Sequence, residues 1–230
     1  MRLYNRRFLT GSFLKNVVTL MSGTAMAQGF VVLCTPILTR IYDPDDFGVL
    51  TVYLGVITVI TVITCGRYEL SIVLPEKDSD AVNLFVLSTI ITLMLTILII
   101  IFATFIQWSS LSLVVRLKDI CGSWVWFIPI SIFATGLFQA LNYWNIRRKN
   151  FGQLAIRQIT QSITMILVQL TMGLLIAANE RSLIIGLVSG QLVAVIVLFI
   201  NTWKKDGKFI LRSVSYLNLD PASNLQGSNN

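Results

Sequence analysis

The sequence predicts an all-α protein with six transmembrane helices, and two observations carry this prediction. The first is composition: 55% of the residues are hydrophobic and only 13% are charged, which is about half the charged share of a soluble domain. The second is the segregation of charge. Six windows contain no Asp, Glu, Lys or Arg: 16–39, 47–66, 81–115, 120–146, 158–179 and 182–203. Each can supply the roughly 20 apolar residues with which a helix crosses the hydrocarbon core.

The six helices are placed in order along these windows. They lie near Val17–Leu38, Phe47–Cys65, Val82–Ile106, Cys121–Trp144, Gln158–Ala178 and Leu183–Trp203. Helices are favoured over barrel strands because the runs are continuously apolar, whereas barrel strands alternate in units of roughly ten residues. The β-branched run at 56–64 has strand propensity, but hydrogen bonding within a helix outweighs it in lipid. The predicted organisation is a basic N-terminus (1–16), a six-helix transmembrane lobe (17–203) and a polar tail (204–230) that we expect to be disordered or truncated.

The basic residues predict the orientation. With an even number of spans, both termini lie on one side of the membrane. Fourteen of the 18 basic residues fall on that side, and only Arg40, Arg116, Lys118 and Arg181 fall on the other. This asymmetry predicts a multi-pass protein of the bacterial inner membrane with both termini cytoplasmic. Most of the net charge of +7 then serves to orient the helices in the membrane. The sequence shows no basic face with base-stacking or groove-reading elements, so it does not favour binding to nucleic acid.

The residues of common catalytic and metal sites give no positive signal. The chain has no histidine, which is the commonest metal ligand and general base. Its three cysteines include no CxxC pair, and they are expected to be small buried hydrophobes. No GxSxG, P-loop or EF-hand pattern occurs, and every acidic residue is placed in a loop or tail. Nothing in the sequence therefore favours an enzyme, a cofactor or a metal.

Small and polar residues mark particular helix faces. The spacing of Gly186, Gly190 and Ala194 in the sixth helix, and of Gly23 and Ala27 in the first, predicts close helix contacts. In the fifth helix, Gln158, Gln161, Ser162 and Gln169 trace one polar face. Further uncharged polar residues lie in three other helices: Gln28, Gln139, Asn142 and Gln191. Such groups are costly in lipid, so two readings stay open: interhelical hydrogen bonds or a hydrated path.

The most charged stretch between two spans is TPILTRIYDPDDFG, residues 35–48. Pro36 falls in the last turns of the first helix, where it can kink or loosen the helix. Asp45 or Asp46 can accept hydrogen bonds from the free N–H groups that open the second helix. Arg40 lies at the non-cytoplasmic membrane edge, where pairing with these aspartates is its simplest role.

The same stretch resembles a known family. The segment SGTAMAQGFVVLCTPILTRIYDPDDFGVLTVYLG is similar to the opening of polysaccharide flippases of the O-antigen and teichoic-acid type, which have a small-residue-rich first helix followed by an L-T-R-hydrophobic-Tyr-x-Pro-x-x-Phe-Gly turn. GRYELSIVLPEKDSDAVNLF and NYWNIRRKNFGQLAIRQITQSI resemble the family's first two cytoplasmic loops. The resemblance covers most of residues 13–203.

The resemblance implies a function. Family members have twelve to fourteen helices in two pseudo-symmetric lobes, and they flip polyprenyl-pyrophosphate-linked oligosaccharide across the inner membrane for O-antigen or other lipopolysaccharide assembly. Alternating access is the implied mechanism, with membrane lipid and the lipid-linked glycan as partners. The candidate substrate-binding residues are Arg67, Arg40, Gln28, Gln158, Gln161 and Gln169. Arg67 follows the second span, where its guanidinium would either meet the pyrophosphate or anchor the cytoplasmic edge.

This chain departs from the family in having six predicted spans, which corresponds to about one lobe. We therefore expect half of a transporter, which needs a second lobe or a second copy of itself. Two alternatives stay open, the first from the same superfamily and the second from another class. Cation-coupled export of a drug or small solute would favour an acidic residue within a span. An integral-membrane glycan polymerase or acyltransferase is the other, and a polymerase would have a larger outside loop than the one near 107–120.

Overall fold

The structure is a computed structural model that describes residues 2–64, 68–75, 78–108 and 122–217. The described residues form helices joined by short turns, without a strand. The elements are α1 (Arg2–Ile41), α2 (Pro44–Thr64), the single turn α3 (Tyr68–Ser71), α4 (Asp78–Trp108), a 3-10 turn (Gly122–Trp126), α5 (Phe127–Arg147), α6 (Phe151–Leu175) and α7 (Glu180–Leu217). Six helices in this part of the chain are long and apolar enough to cross a membrane. The predicted all-α, polytopic membrane class is confirmed.

The boundaries of three helices differ clearly from the sequence prediction. Helix α1 begins at Arg2 and α7 continues to Leu217, because flanking polar residues extend a helix beyond its apolar part. Helix α6 begins at Phe151 rather than near Gln158 and ends at Leu175 rather than Ala178. The cause lies in the turn before it: Lys149 adopts a φ of 56°, a left-handed conformation that ends α5 and lets α6 start two residues later.

Helices α5 and α7 form the centre of the bundle. Half of the span window of each is buried, against 11% for α1. Helix α6 packs along α7 and carries α1 on its other side, while α2 and α4 pack on α5. Three apolar clusters fill the contacts, centred on Trp144, Tyr53 and Ile166. The remaining apolar side chains, such as Leu33 of α1 and Phe102 of α4, face outward, which is the surface that a bilayer requires.

The α6–α7 contact depends on two glycines, as the small-residue spacing predicted. A Cβ on Gly190 would lie 2.8 Å from the backbone oxygen of Gln161 and 2.9 Å from Cβ of Met165. A Cβ on Gly186 would collide with Cγ of Gln169. Glycine is therefore what lets the two backbones approach this closely.

The α1–α6 contact has the same character at one position only. A Cβ on Gly23 would collide with Ala155 of α6, whereas nothing lies within 4 Å of the Cβ position of Gly29. The predicted packing role of Gly23 is thus confirmed. Ala25 and Gly29, which have the same four-residue spacing on α1, are exposed instead.

Arginines hold the helix ends together at one end of the bundle, which we call the Arg147 end. The Arg147 guanidinium donates to Asp78 Oδ1 (2.8 Å) and to the carbonyl of Pro75 (2.7 Å). Arg148 donates to Asp78 Oδ2 at 3.0 Å, and its guanidinium carbon lies 5.2 Å from the centre of the Trp144 ring. The Trp144 indole in turn donates to Asp206 at 3.1 Å. These contacts tie the ends of α4, α5 and α7 to one another.

At the opposite end, which we call the Tyr42 end, the turn between α1 and α2 is closed by aspartate. Pro44 is the first residue of α2, and Asp45 and Asp46 lie in its first turn. Asp46 Oδ2 accepts from the backbone N–H of Asp43 at 3.1 Å, so a carboxylate closes this turn, although the donor precedes α2 and is not one of the N–H groups at the helix start that the sequence predicted.

Candidate functional site

Of the two arginines proposed from the sequence, only Arg40 is among the described residues, and no hydrogen bond or ion pair there joins it to the glutamines. Arg67 lies outside the described residues. Arg40 is exposed in the last turn of α1, at the Tyr42 end. Within the described residues, no ion pair joins Arg40 to the aspartates that follow it, so the predicted pairing is not present.

Two of the glutamines lie near Thr24 of α1. Gln158 Oε1 of α6 lies 3.3 Å from the hydroxyl of Thr24 on α1. Gln28 stands one turn beyond Thr24 on the same helix, and it lines a shallow groove of about 350 Å³ with Leu20 and Met21. Gln28 and Gln158 therefore belong to one partly exposed polar strip between α1 and α6.

The other two glutamines contact α7, Gln161 through its backbone and Gln169 through its side chain. The Gln161 backbone oxygen is the group that crowds Gly190. Gln169 is buried, and its Nε2 donates to the carbonyl of Leu183 at 3.0 Å. Its backbone carbonyl accepts from the Tyr42 hydroxyl at 2.6 Å. Burial raises the pKa of Tyr42, which keeps this hydroxyl protonated as a donor. The predicted polar face of α6 is thus divided between two neighbouring helices.

Gln169 is accordingly expected to act in stability rather than in substrate contact. Gln169→Met keeps the unbranched shape that fits against Gly186 but removes the donor to Leu183. We expect it to lower the free energy of unfolding in micelles by about 0.5–1.5 kcal/mol, the net worth of one such bond. A free energy of unfolding equal to that of the wild type would contradict this structural role.

An apolar groove accompanies the polar strip. It also measures about 350 Å³ and lies between α1 and α6, where Ala27, Phe30, Leu33, Ile159 and Ile163 are among its lining residues. The buried Ser162 is its polar exception. The region between α1 and α6 thus combines the amides of Gln28 and Gln158 at one level with an apolar groove at the next.

One polar residue of α6 was misplaced by the sequence prediction. Arg157 was counted among the cytoplasmic loop residues, but it lies in the second turn of α6, within the membrane-spanning stretch Phe151–Leu175. Its guanidinium carbon lies 3.4 Å from the centre of the Phe138 ring on α5. A signal for this position exists: Gln153, Arg157 and Gln161 recur every four residues, so they share one helix face.

The polar groups of α1 and α6 are suited to hydrogen bonding with a ligand. The described residues contain no group of three or more His, Cys, Asp or Glu placed to hold a metal ion. The amides and hydroxyls of these two helices, together with the Arg157 guanidinium, can donate hydrogen bonds to an anionic or hydroxylated ligand.

Comparison with known proteins places this bundle in a family. Residues 37–218 match a family model described as polysaccharide biosynthesis protein. No curated protein and no solved structure matched the chain. The matched residues begin near the end of α1 and run through α7, so they comprise most of the membrane bundle. The family resemblance seen in the sequence is confirmed: this chain is a member of the polysaccharide biosynthesis protein family.

Proposed function

We propose that the chain forms one lobe of a transporter that moves polyprenyl-pyrophosphate-linked oligosaccharide across the bacterial inner membrane. The observation that carries this proposal is the extent of the family match. The matched residues contain five of the six spans found in the described residues. This extent supports a contribution made inside the bilayer, and the proposal places it at the stage when the glycan is attached to a lipid.

The physical problem at that stage is translocation. An oligosaccharide and a pyrophosphate cannot cross hydrocarbon without large desolvation costs, because every polar group would lose its hydrogen bonds to water. A transporter lowers that cost by offering polar groups on one side of a cavity while the polyprenyl tail stays in lipid. The strip of Gln28, Thr24 and Gln158 beside the apolar groove of α1 and α6 has this dual character.

A second lobe completes the proposed transporter. Helix α1 is the least buried span of the described bundle, with 11% of its window buried, and α2 and α6 follow with 17% each. In the proposed arrangement α1 and α2 face another six-helix lobe, or a second copy of this chain, across the cavity. Rocking of the two lobes then exposes the cavity to the cytoplasm and to the periplasm in turn. Both termini are proposed to be cytoplasmic, and no covalent bond changes during the cycle.

Deletion of the gene tests this function. We expect surface polysaccharide to be lost and lipid-linked oligosaccharide to rise, since assembly continues while export stops. Re-expression of the intact transporter from a plasmid is the control and should restore both. A loss of surface glycan with no rise in the lipid-linked intermediate would place the defect in glycan synthesis and would refute the proposal.

A further inference from the structure

Arg157 is a cation placed at an unusual depth. It follows the first residue of α6 by six positions, which corresponds to about 9 Å along the helix axis. Its stacking partner Phe138 lies nine positions before the end of α5 at Arg147, which corresponds to about 13 Å. Both helices thus place the guanidinium well below the helix ends, in a leaflet whose hydrocarbon is about 15 Å thick.

No carboxylate neutralises this charge within the part of the chain that the structure describes. The ion pairs there belong to Arg147, Arg148 and Arg181. Arg157 Nε is buried and has no hydrogen-bond acceptor, although the residue as a whole is only partly buried. The face of the Phe138 ring attracts the cation, but a ring supplies no acceptor for the N–H groups. An ionisable side chain in a transmembrane helix usually meets a ligand, an ion or a polar pathway.

The side chains next to Arg157 on the same face of α6 are polar, and one of them is also unsatisfied. Gln153 lies one turn before it and is buried, and its Oε1 has no hydrogen-bond partner. Gln161 lies one turn after it and is partly buried. Residues four apart on a helix are neighbours, so the three side chains form one row. This row, which we call the Arg157 row, combines a guanidinium with two primary amides.

We propose that the Arg157 row binds the phosphate group of a membrane lipid. A guanidinium offers a planar pair of N–H donors that match two phosphate oxygens, and it stays charged at any physiological pH. The flanking amides can each donate a further hydrogen bond. A bound phosphate would supply the negative charge that the described residues lack. If the proposed function is correct, the first candidate for this lipid is the polyprenyl pyrophosphate of the substrate, and an anionic phospholipid is the other source.

The test uses the purified chain in micelles of a neutral detergent. Polyprenyl pyrophosphate and phosphatidylglycerol are titrated separately, with phosphatidylcholine as the zwitterionic reference, and Kd is measured for the wild type and three variants. Arg157→Met removes the charge but keeps an unbranched chain of similar length. Arg157→Lys keeps the charge but loses the planar pair of donors. Arg181→Met is the matched control, because it removes an arginine that is 59% exposed near the Tyr42 end.

We expect Arg157→Met to weaken binding of the phosphate lipid by about tenfold or more, as for loss of a charge-assisted hydrogen bond. Arg157→Lys should fall in between, and Arg181→Met should match the wild type. A preference for polyprenyl pyrophosphate would identify the substrate as the ligand, and equal binding of phosphatidylglycerol would identify a phospholipid. Unchanged binding in Arg157→Met, or no binding of either lipid by the wild type, would overturn the proposal.

Thermal unfolding without lipid separates binding from a structural role. Removing an uncompensated buried charge should raise the Tm of Arg157→Met above that of the wild type, whereas loss of a structural contact would lower it. A lower Tm of Arg157→Met would therefore contradict the observation that the Arg157 charge has no carboxylate partner, on which the proposal rests. The binding test and the deletion test can fail separately. If Arg157 binds lipid but the deletion strain exports glycan normally, the lipid site stands and the proposed transport function is refuted.

Discussion

Replacing Gly190 with leucine is expected to separate α6 from α7 and to remove most of the folded chain from the membrane. The first atom of any side chain here would already lie 2.8 Å from the Gln161 backbone oxygen, and a backbone atom cannot move aside as a flexible side chain can. Overpacking of a close contact costs about 1–3 kcal/mol, and the three further carbons of leucine should bring the cost to the upper end or beyond. The measurement is the free energy of unfolding in micelles, together with the amount of folded protein in the membrane.

The matched control is a glycine in open space. Nothing lies within 4 Å of the Cβ position of Gly55 on α2, so Gly55→Leu should leave stability within about 0.5 kcal/mol of the wild type. Gly190→Ala should lie between the wild type and Gly190→Leu. Equal stability of Gly190→Leu and Gly55→Leu would show that α6 and α7 do not approach as closely as described.

Replacing Arg147 with methionine is expected to loosen the Arg147 end of the bundle. The side chain is 12% exposed, and it donates to Asp78 and to the carbonyls of Pro75 and Ile72. Methionine fills a similar volume but leaves these acceptors without their donor. Unsatisfied acceptors cost about 1–3 kcal/mol, and the 40% exposure of the Asp78 side chain keeps the loss within that range, since water can replace part of the interaction.

Thermal or denaturant unfolding in micelles measures this loss. Arg147→Lys should recover only part of it, because one ammonium group cannot reach the carboxylate and two carbonyls with the geometry of a guanidinium. Arg181→Met is again the control: Arg181 is exposed and lies 3.9 Å from Glu180, so its loss should cost less than about 1 kcal/mol. If Arg147→Met proved no more harmful than Arg181→Met, the helix ends would be held by something other than this arginine.

The spans and several contacts could be predicted because they follow from local rules. A charge-free run of about 20 residues has few alternatives to a transmembrane helix, and the described part of each of the six runs contains a helix long and apolar enough to cross a membrane. The glycine contacts at Gly186 and Gly190 follow from small residues at four-residue spacing. The aspartate that closes the α1–α2 turn follows from the preference of a helix start for carboxylates.

The position of Arg157 could not be predicted by the same rules. A charge at the edge of an apolar window normally marks the membrane boundary. The sequence therefore predicts that the fifth transmembrane helix, α6, begins near Gln158. The actual start of α6 depends on the turn at Lys149. A lysine does not predict the left-handed backbone conformation that this residue adopts. Nor does sequence periodicity tell which neighbour a polar face will meet. Gln158 and Gln169 share a face of α6, yet one meets α1 and the other is used in packing against α7.

The leaflet in which lipid-linked oligosaccharide accumulates tests the central claim most directly. Inner-membrane vesicles of defined orientation are prepared from the deletion strain and from the complemented strain, and a glycan-cleaving enzyme is added from outside. Translocation by this protein predicts that the accumulated glycan in the deletion strain is cleaved only where the cytoplasmic face is exposed. Complementation should shift it to the periplasmic face. Accumulation on the periplasmic face of the deletion strain would mean that the glycan crosses without this protein, and it would contradict the account.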